Sequence, residues 1–307
     1  MAEPPYGEIA DLLKRGQVVP FLGAGANLSI RPADARWDAK NSAFLPSGAE
    51  LSRFLAQKSS FPSGDDHDLA DLPKVASYFV ETSARRRLRE RLHDIFNREF
   101  DPCCIHSYLA EVAASAPLLV ITTNYDDLLE QAFKRAGCPF DLVIHPTDRK
   151  EVEAAVLWWR HGEAEPLAVA PNQLFIDLKT TNVIYKMHGT VDRVLQKWDS
   201  YVITEDDYVD FLARMTSQTA VPALFMQHCR TRNFLFLGYG LRDWNLRVLL
   251  RNLDSTLPVG VDDMGDELHS WAIQYHPSEY EVELWNSRQV KVYNLDLNEF
   301  VDKLRAQ

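Results

Sequence analysis

Four short apolar runs, each ending on glycine or on a cluster of small polar residues, constrain the fold of this chain more than any other feature. They are Gln17 to Leu22 before Gly23, Pro117 to Ile121 before Thr122, Asn182 to Met187 before His188 and Gly189, and Asn233 to Leu237 before Gly238. Runs this short are strand-sized. Their nearly continuous apolar character, rather than an alternation, fits strands covered on both faces. Amphipathic patterns lie between them, so strands alternate with helices, which predicts an α/β fold: a Rossmann-like parallel sheet with helices on both faces.

The remaining elements follow the same reading. A short helix is expected at Tyr6 to Arg15, and residues 31 to 49 read as a loop. Helical spacing opens at Pro46-Ser47-Gly48-Ala49-Glu50 with Leu51, Phe54 and Leu55. After a polar break at Pro62 to Asp68 it resumes from Leu72 to Phe96, so that about 50–115 reads as a mostly helical insertion. Asp127 to Ala136 forms an amphipathic helix closed by Gly137. A strand is expected at Phe140 to Ile144, with irregular chain beyond it as far as residue 181. Helices are expected at Asp206 to Arg214 and Ala220 to Arg230. Ser270 to Gln274 and Gln289 to Leu295 read as two last strands, each followed by a helical pattern. No repeat or low-complexity segment divides the chain, and the expectation is one domain over residues 1–307 carrying the insertion.

Composition narrows the function. With 33 Lys and Arg against 44 Asp and Glu the formal net charge is -11, which argues against a duplex nucleic-acid binder working through a basic face. A hydrophobic content of 46% over 307 residues supports a sizeable core and excludes disorder as the main state. The apolar runs fall far short of the roughly 18 to 20 residues of a membrane span. The opening Met1-Ala2-Glu3-Pro4-Pro5 lacks the basic and apolar regions of an export signal, so the expectation is a soluble, cytoplasmic protein without membrane contact.

In an open parallel sheet ligands sit outside the carboxyl ends of the strands. Four strand ends here carry conspicuous residues: Gly23-Ala24-Gly25-Ala26-Asn27, Thr122-Thr123-Asn124-Tyr125-Asp126, His188-Gly189, and Gly238-Tyr239-Gly240-Leu241-Arg242-Asp243. Belonging to different strands, they can meet in one pocket. The Gly23 and Gly25 turn lets backbone N–H groups approach a phosphate, although no Lys-Ser/Thr follows to make a P-loop and the third glycine of the dinucleotide fingerprint is missing. Asp126 and Asp127 suit helix capping as well as ligand contact. The amide of Asn124 can both donate to and accept from a ribose or a water. His188 reads either as a satisfied core histidine or as a general base, since histidine titrates near working pH.

Other features have plainer readings. Four cysteines make no disulfide framework, and Cys103, Cys104 and His106 lack a second cysteine pair to complete a tetrahedral metal site, so no metal is expected. Arg85-Arg86-Arg87 with Arg89 and Arg91 reads as the solvated side of a helix and a candidate partner contact. Asp65-Asp66-His67-Asp68 reads as a solvated loop and Glu205-Asp206-Asp207 as a helix start. Asp177-Leu178-Lys179 has the Asp-x-Lys core of a nuclease motif without an upstream acidic partner.

Taken together and in this order, the four strand-end motifs resemble the sirtuin-like NAD-binding fold, specifically its bacterial branch of NAD hydrolases found in anti-phage defence. The resemblance spans roughly Val18 to Leu304. It implies that Gly23, Ala24, Gly25 and Asn27 form the phosphate-binding loop. It implies further that Thr122, Asn124 and Asp126 match a Thr-x-Asn-x-Asp signature holding the nicotinamide ribose and the attacking water, that His188 is the catalytic histidine, and that Gly238, Tyr239 and Gly240 face the adenosine half of NAD. The chain departs from the protein-deacylating sirtuins. Only Cys229 follows His188, where they carry two cysteine pairs for structural zinc; Asn27 stands in place of a serine, and Thr123 in place of a glutamine.

The resemblance therefore implies an NAD hydrolase giving nicotinamide and ADP-ribose, with NAD as substrate, Asn124 and His188 as catalytic residues, and a role in anti-phage defence by NAD depletion. An NAD-dependent deacylase and a non-catalytic NAD or ADP-ribose sensor are the alternatives. Hydrolysis of so common a cofactor needs restraint, for which the resemblance implies homo-oligomerisation or a regulatory partner, either a hexameric ATPase or an Argonaute-type system.

Overall fold

A computed structural model describes residues 3–32, 34–147, 152, 154–194, 196–216, 220–239 and 269–307. The chain begins with α1 (Tyr6–Lys14) and β1 (Val18–Leu22), and a 3-10 helix, Ala24–Ile30, follows the first glycine turn. Five helices come next: α2 (Gly48–Ser59), α3 (Asp66–Ala70), α4 (Leu72–Ser83), α5 (Arg85–Phe96) and α6 (Cys104–Ala113). Then come β2 (Leu119–Thr122), α7 (Leu128–Arg135), β3 (Phe140–Ile144), β4 (Val156–Trp159), β5 (Leu167–Val169) and β6 (Asn182–Lys186). A two-strand ribbon, β7 (Gly189–Thr190) with β8 (Ser200–Tyr201), leads to α8 (Glu205–Thr216), α9 (Ala223–Cys229) and β9 (Asn233–Leu237). The chain closes with β10 (Ser270–Gln274), α10 (Glu279–Asn286), β11 (Val290–Asn294) and α11 (Leu297–Arg305).

Among the described residues nine strands form one sheet in the order β11-β10-β9-β1-β2-β6-β3-β4-β5. Every pairing from β11 across to β3 is parallel, whereas β3 with β4 and β4 with β5 run antiparallel. The fold is thus the α/β, Rossmann-like sheet expected, finished at one edge by an antiparallel hairpin that the sequence did not reveal. The apolar runs Val156 to Trp159 and Leu167 to Val169 are short and end on Arg160 and on Ala170-Pro171, not on the glycine or small polar residues that mark the central strand ends. The pairing of β1 with β9 runs over five residue pairs. That with β2 is recorded only at Phe21–Ile121 and Leu22–Thr122, beyond Pro20, which has no N–H to give to a ladder.

Side-chain alternation along each strand splits the core into two layers. Val18 and Leu22 of β1, Val120 of β2, Ile184 of β6 and Leu235 and Leu237 of β9 pack against α1, α6, α7 and α11. Val19, Phe21, Ile121, Tyr185 and Phe236 pack on the other face against Phe211 of α8, Phe225 of α9 and Trp285 of α10. A third apolar cluster lies off the sheet: Leu51, Leu55, Val75, Phe79, Leu88, Leu92 and Phe96 of α2, α4 and α5 close on Leu128, Val191, Tyr201 and Ile203.

Local signals explain the helix starts. Ser47 and Glu50 form a reciprocal capping box on α2, and Ser278 and Glu281 another on α10. Asp71 and Asp296 accept first-turn N–H groups of α4 and α11. The helical pattern from Leu72 to Phe96 is not one helix but two, divided at Ala84, whose φ of 78 and ψ of 148 ends α4 and begins α5. Arg85 leaves the solvated face expected for it: Nη1 pairs with Asp207 Oδ2 at 2.7 Å and Nη2 donates to Tyr201 O at 2.7 Å. Asp207 is accordingly buried, and its Oδ2 also accepts from the backbone N–H of Ile203 and Thr204. Arg86, by contrast, keeps the exposed position that the sequence reading gave it.

A residue with a Cβ is strained in the conformation of Ala84, which glycine adopts readily. Ala84→Gly is expected to raise the unfolding free energy by about 1 kcal/mol, read as a higher midpoint in urea with an unchanged slope.

Candidate active site

The strand order reverses its direction of growth at β1, which is flanked by β9 and β2, and the loops leaving these three strands converge there. The first contact is backbone on backbone. Gly25 N donates to Gly238 O at 2.7 Å, and Gly23 N to Leu237 O at 3.1 Å. A Cβ on Gly25 would stand 2.5 Å from Gly238 O. One on Gly238, whose φ is +60, would stand 2.0 Å from Ala26 N. Both glycines are therefore demanded by the approach of two turns to each other, and the Gly23 and Gly25 amides are already used within the protein.

The turn after β1 is tied to the elbow after β2 by side chains. Asn27 Nδ2 donates to Asp126 Oδ2 at 2.7 Å, Asn124 Nδ2 donates to Gly23 O at 3.2 Å, and Thr123 N donates to Leu22 O at 3.2 Å. Asp126 also serves the helix, since its Oδ1 accepts from Leu128 N at 3.2 Å. Asp127 makes no cap; its Oδ1 accepts from Gln131 Nε2, and its Oδ2 pairs with Arg193 at 2.8 Å. Asn124 Oδ1 and Asn27 Oδ1 are buried acceptors with no hydrogen-bond partner among the described residues. Leaving such atoms unsatisfied costs on the order of 1–3 kcal/mol each, and groups of this kind concentrate where a ligand completes the set.

These loops enclose a cavity of about 290 Å3, near the lower end of the roughly 300–1,000 Å3 common for small-molecule sites. Gly23, Ala24, Gly25, Asn27, Asn124, Asp126, His188, Gly238 and Tyr239 all line it, so all four strand ends picked out in the sequence meet there. Thr122 does not line it. It is buried beneath, its hydroxyl donating to Leu22 O at 3.2 Å and accepting from Asn124 N at 3.1 Å. Gly240, Leu241, Arg242 and Asp243 lie outside the described residues.

His188 is buried, its ring edge-on to Tyr208 at 5.6 Å and to Phe211 at 5.5 Å. His145 meets Phe211 at 5.1 Å; its own burial, with the nearby Arg214 and His188 charges adding, pushes its pKa down to about 3. His145 is thus neutral at any working pH. Cys103, Cys104 and His106 assemble no metal site: Cys103 Sγ lies 3.2 Å from His106 Nδ1, while Cys104 Sγ donates to Asn298 Oδ1 at 2.9 Å. Among the described residues no group of three or more His, Cys, Asp or Glu is placed to hold a metal, and no helix is long and apolar enough to cross a membrane.

The sequence reading missed several contributors, among them Leu45 and Leu51 on the cavity wall and three with a larger part. Phe96 and Tyr208 supply cavity wall from α5 and α8, and nothing in an amphipathic helix says which neighbour its apolar face will meet. The third is Lys186, which is wholly buried and whose Nζ is 2.8 Å from Glu130 Oε1. Here a signal was available: a lysine at the end of a run buried on both faces must find a charge partner, and Glu130 sits six residues past Asn124. Burial pushes the Glu130 carboxyl above its ordinary value, and the Lys186 ammonium pulls it back. Glu130 also lines a larger cleft, about 740 Å3, between α7 and the chain around Trp159 and Arg193; of the candidates named from sequence, Asp127 lies on it.

A family model described as SIR2-like domain matches residues 118–293, more than half of the 307. The chain belongs to the SIR2-like family. This SIR2-like chain is similar to NAD(+) hydrolase ThsA of Acinetobacter baumannii (strain 532279), 30% identical over 185 residues that make up 60% of this chain and 31% of that protein. NAD(+) hydrolase ThsA of Enterococcus faecium is 27% identical over 80% of this chain and 41% of its own length. Defense-associated sirtuin 2 of Bacillus subtilis is 22% identical over 79% of the chain and 20% of its own. The SIR2-like chain thus spans between a fifth and two fifths of the length of these relatives. A solved structure from a study of the mechanism and regulation of Sir2 enzymes covers 99% of the chain at 12% identity, and its TM-score of 0.43 carries no argument about individual residues.

The roof of the cavity depends on one carboxylate. Arg31 Nη1 donates to Glu50 Oε2 at 2.6 Å, and Glu50 also accepts from Trp37 N and Ser47 N, each at 3.0 Å, folding residues 31–47 back onto the start of α2. The Arg31 guanidinium holds Glu50 at about 2, below its ordinary 4.5. A carboxyl depressed on folding contributes stability above its unfolded value and loses it as pH falls through the folded one. The stability gap between wild type and Glu50→Gln, measured by urea unfolding at stepped pH, should be widest at neutrality and close between pH 4.5 and 2.

Proposed function

We propose that this site cleaves the bond between nicotinamide and ribose in NAD, giving nicotinamide and ADP-ribose, and that the chain depletes NAD as an effector of bacterial defence. The observation that carries the reading is the convergence of Asn124, with its unpartnered buried Oδ1, and His188 on one cavity walled by the two glycine turns. Its support from relatives is in their printed names, NAD(+) hydrolase and defense-associated sirtuin.

The chemistry suits the residues. The leaving group departs from a positively charged pyridinium, so it needs no acid, and the oxocarbenium-like transition state gains most from positioning. Asn124 orients the water and the ribose hydroxyls with the acceptor that the protein leaves unused. His188 acts as general base toward the water or a ribose hydroxyl, held edge-on by Tyr208 and Phe211. Asp126 holds Asn27, so that the 3-10 turn bearing Ala24 presents itself to the diphosphate. Thr122 acts from below by fixing the Asn124 backbone. Tyr239, with Gly238, faces the adenosine half. Cytoplasmic residence follows from the substrate, and restraint comes from self-association or a regulatory partner.

The direct test is nicotinamide release from NAD, resolved by chromatography, with wild type beside Asn124→Ala and His188→Ala of native circular dichroism. Both variants should lose about 10²–10⁴-fold in turnover. A His188→Ala protein as active as wild type would remove the assigned role of that histidine, and a wild type that binds NAD yet never releases nicotinamide would leave a binding site without hydrolysis.

A further inference from the structure

We propose that Lys186 is a positioning residue for the reaction proposed above, setting the placement of Asn124 relative to His188 through the backbone of the elbow, with Glu130 as its counter-charge. The ammonium is wholly buried and its neighbours account for its three donors: Tyr125 O at 3.2 Å, Asp126 O and Glu130 Oε1 at 2.8 Å.

The two carbonyls are those of the residues directly after Asn124. They lie between the end of β2 and the start of α7, where neither a sheet ladder nor a helix is in place to satisfy them. Tyr125 O has one further donor, Val191 N at 2.9 Å, from the ribbon that follows His188. The elbow that carries Asn124 is therefore fastened to β6 and to the chain just beyond it.

The position of the lysine along β6 gives the fastening its meaning. Ile184 packs on the α7 side of the sheet and Tyr185 on the other, so Lys186 points to the side of Glu130, and Met187 returns to the opposite core. His188 stands two residues beyond Lys186 on the same chain. One strand end thus carries the histidine and, through three bonds, grips the loop that bears the asparagine. The separation of the two groups is held by the Lys186 side chain together with Val191 N, rather than left to two loops that can move independently, which is what a water held between them needs.

A merely structural lysine would serve only to neutralise Glu130, and the two roles are separable. Lys186→Met leaves a buried carboxylate without a partner and is expected to fold poorly. Lys186→Met with Glu130→Leu removes both charges, recovers the fold and leaves the two carbonyls without the ammonium. Steady-state kinetics on this double variant should show kcat reduced at least tenfold with KM within a few-fold of wild type. Hydrogen exchange should be faster at residues 123–127 and unchanged in β10 and β11. A folded double variant with wild-type kcat would overturn the proposal, and so would a loss of kcat with the elbow exchanging as in wild type, because the effect would then not run through the elbow. If wild type itself releases no nicotinamide, the hydrolase reading fails alone. The exchange pattern, read without substrate, still decides whether Lys186 holds the elbow.

Discussion

The contact between two glycine turns governs this molecule. Gly25 donates to Gly238 across the gap between β1 and β9, at a distance where neither position tolerates a Cβ. Strands with ordinary side chains at their ends would splay their loops and leave an open crevice. Here the backbones meet, the crevice is floored, and what remains above is a small cavity open on one side. Three residues of the elbow are referenced to that floor: Asn124 through Gly23 O, Asp126 through Asn27, and Thr123 through Leu22 O. The usual reading of a glycine-rich turn, as a surface of bare amides for phosphate, accounts for only part of what these glycines do.

Much of this was legible in the residues. The central strands announced themselves because burial on both faces requires unbroken apolar runs, and the polar residues at their ends had no structural duty inside such runs, so they stood out. The antiparallel hairpin β4–β5 did not, because its apolar runs, Val156 to Trp159 and Leu167 to Val169, are short and close on Arg160 and on Ala170-Pro171 with no conspicuous polar or glycine cluster to mark a strand end. The division at Ala84 was hidden because alanine, unlike glycine or asparagine, gives no sign of a positive φ, and the amphipathic spacing continues across the break. Arg85 was misplaced because a run of arginines reads as one surface, whereas on a helix consecutive side chains point about 100 degrees apart, and one of them reached the Asp207 carboxylate.

Charge is placed sparingly near the cavity. Lys186 with Glu130 and Arg31 with Glu50 are pairs whose members come from different elements, and each fastens a loop that regular structure cannot hold. Buried pairs of this sort contribute little to net stability against apolar replacements of the same volume, but they tolerate only one geometry. Their value in a fold of this kind is in fixing where irregular chain lies. The aromatic side chains complete the effect: Tyr125 meets both Phe96 and Tyr201 edge to face, at 5.4 and 5.2 Å, between the elbow and the helices above it.

The third apolar cluster has its own centre. Leu51, Leu55, Phe79, Leu88 and Leu92 pack chiefly against one another and reach the sheet layer through a few residues around Leu128, Val191 and Ile203. Of the helices between β1 and β2, α2, α4 and α5 thus build a core of their own, whereas α6 packs on the sheet. Phe96, Leu45 and Leu51, which shape the mouth of the cavity, belong to that core, whereas Asn124 and His188 do not. The apolar wall of the cavity and its polar residues are thereby carried by different parts of the fold. A substitution among these helices can reshape the wall while the strand ends that bear Asn124 and His188 stay where the sheet puts them.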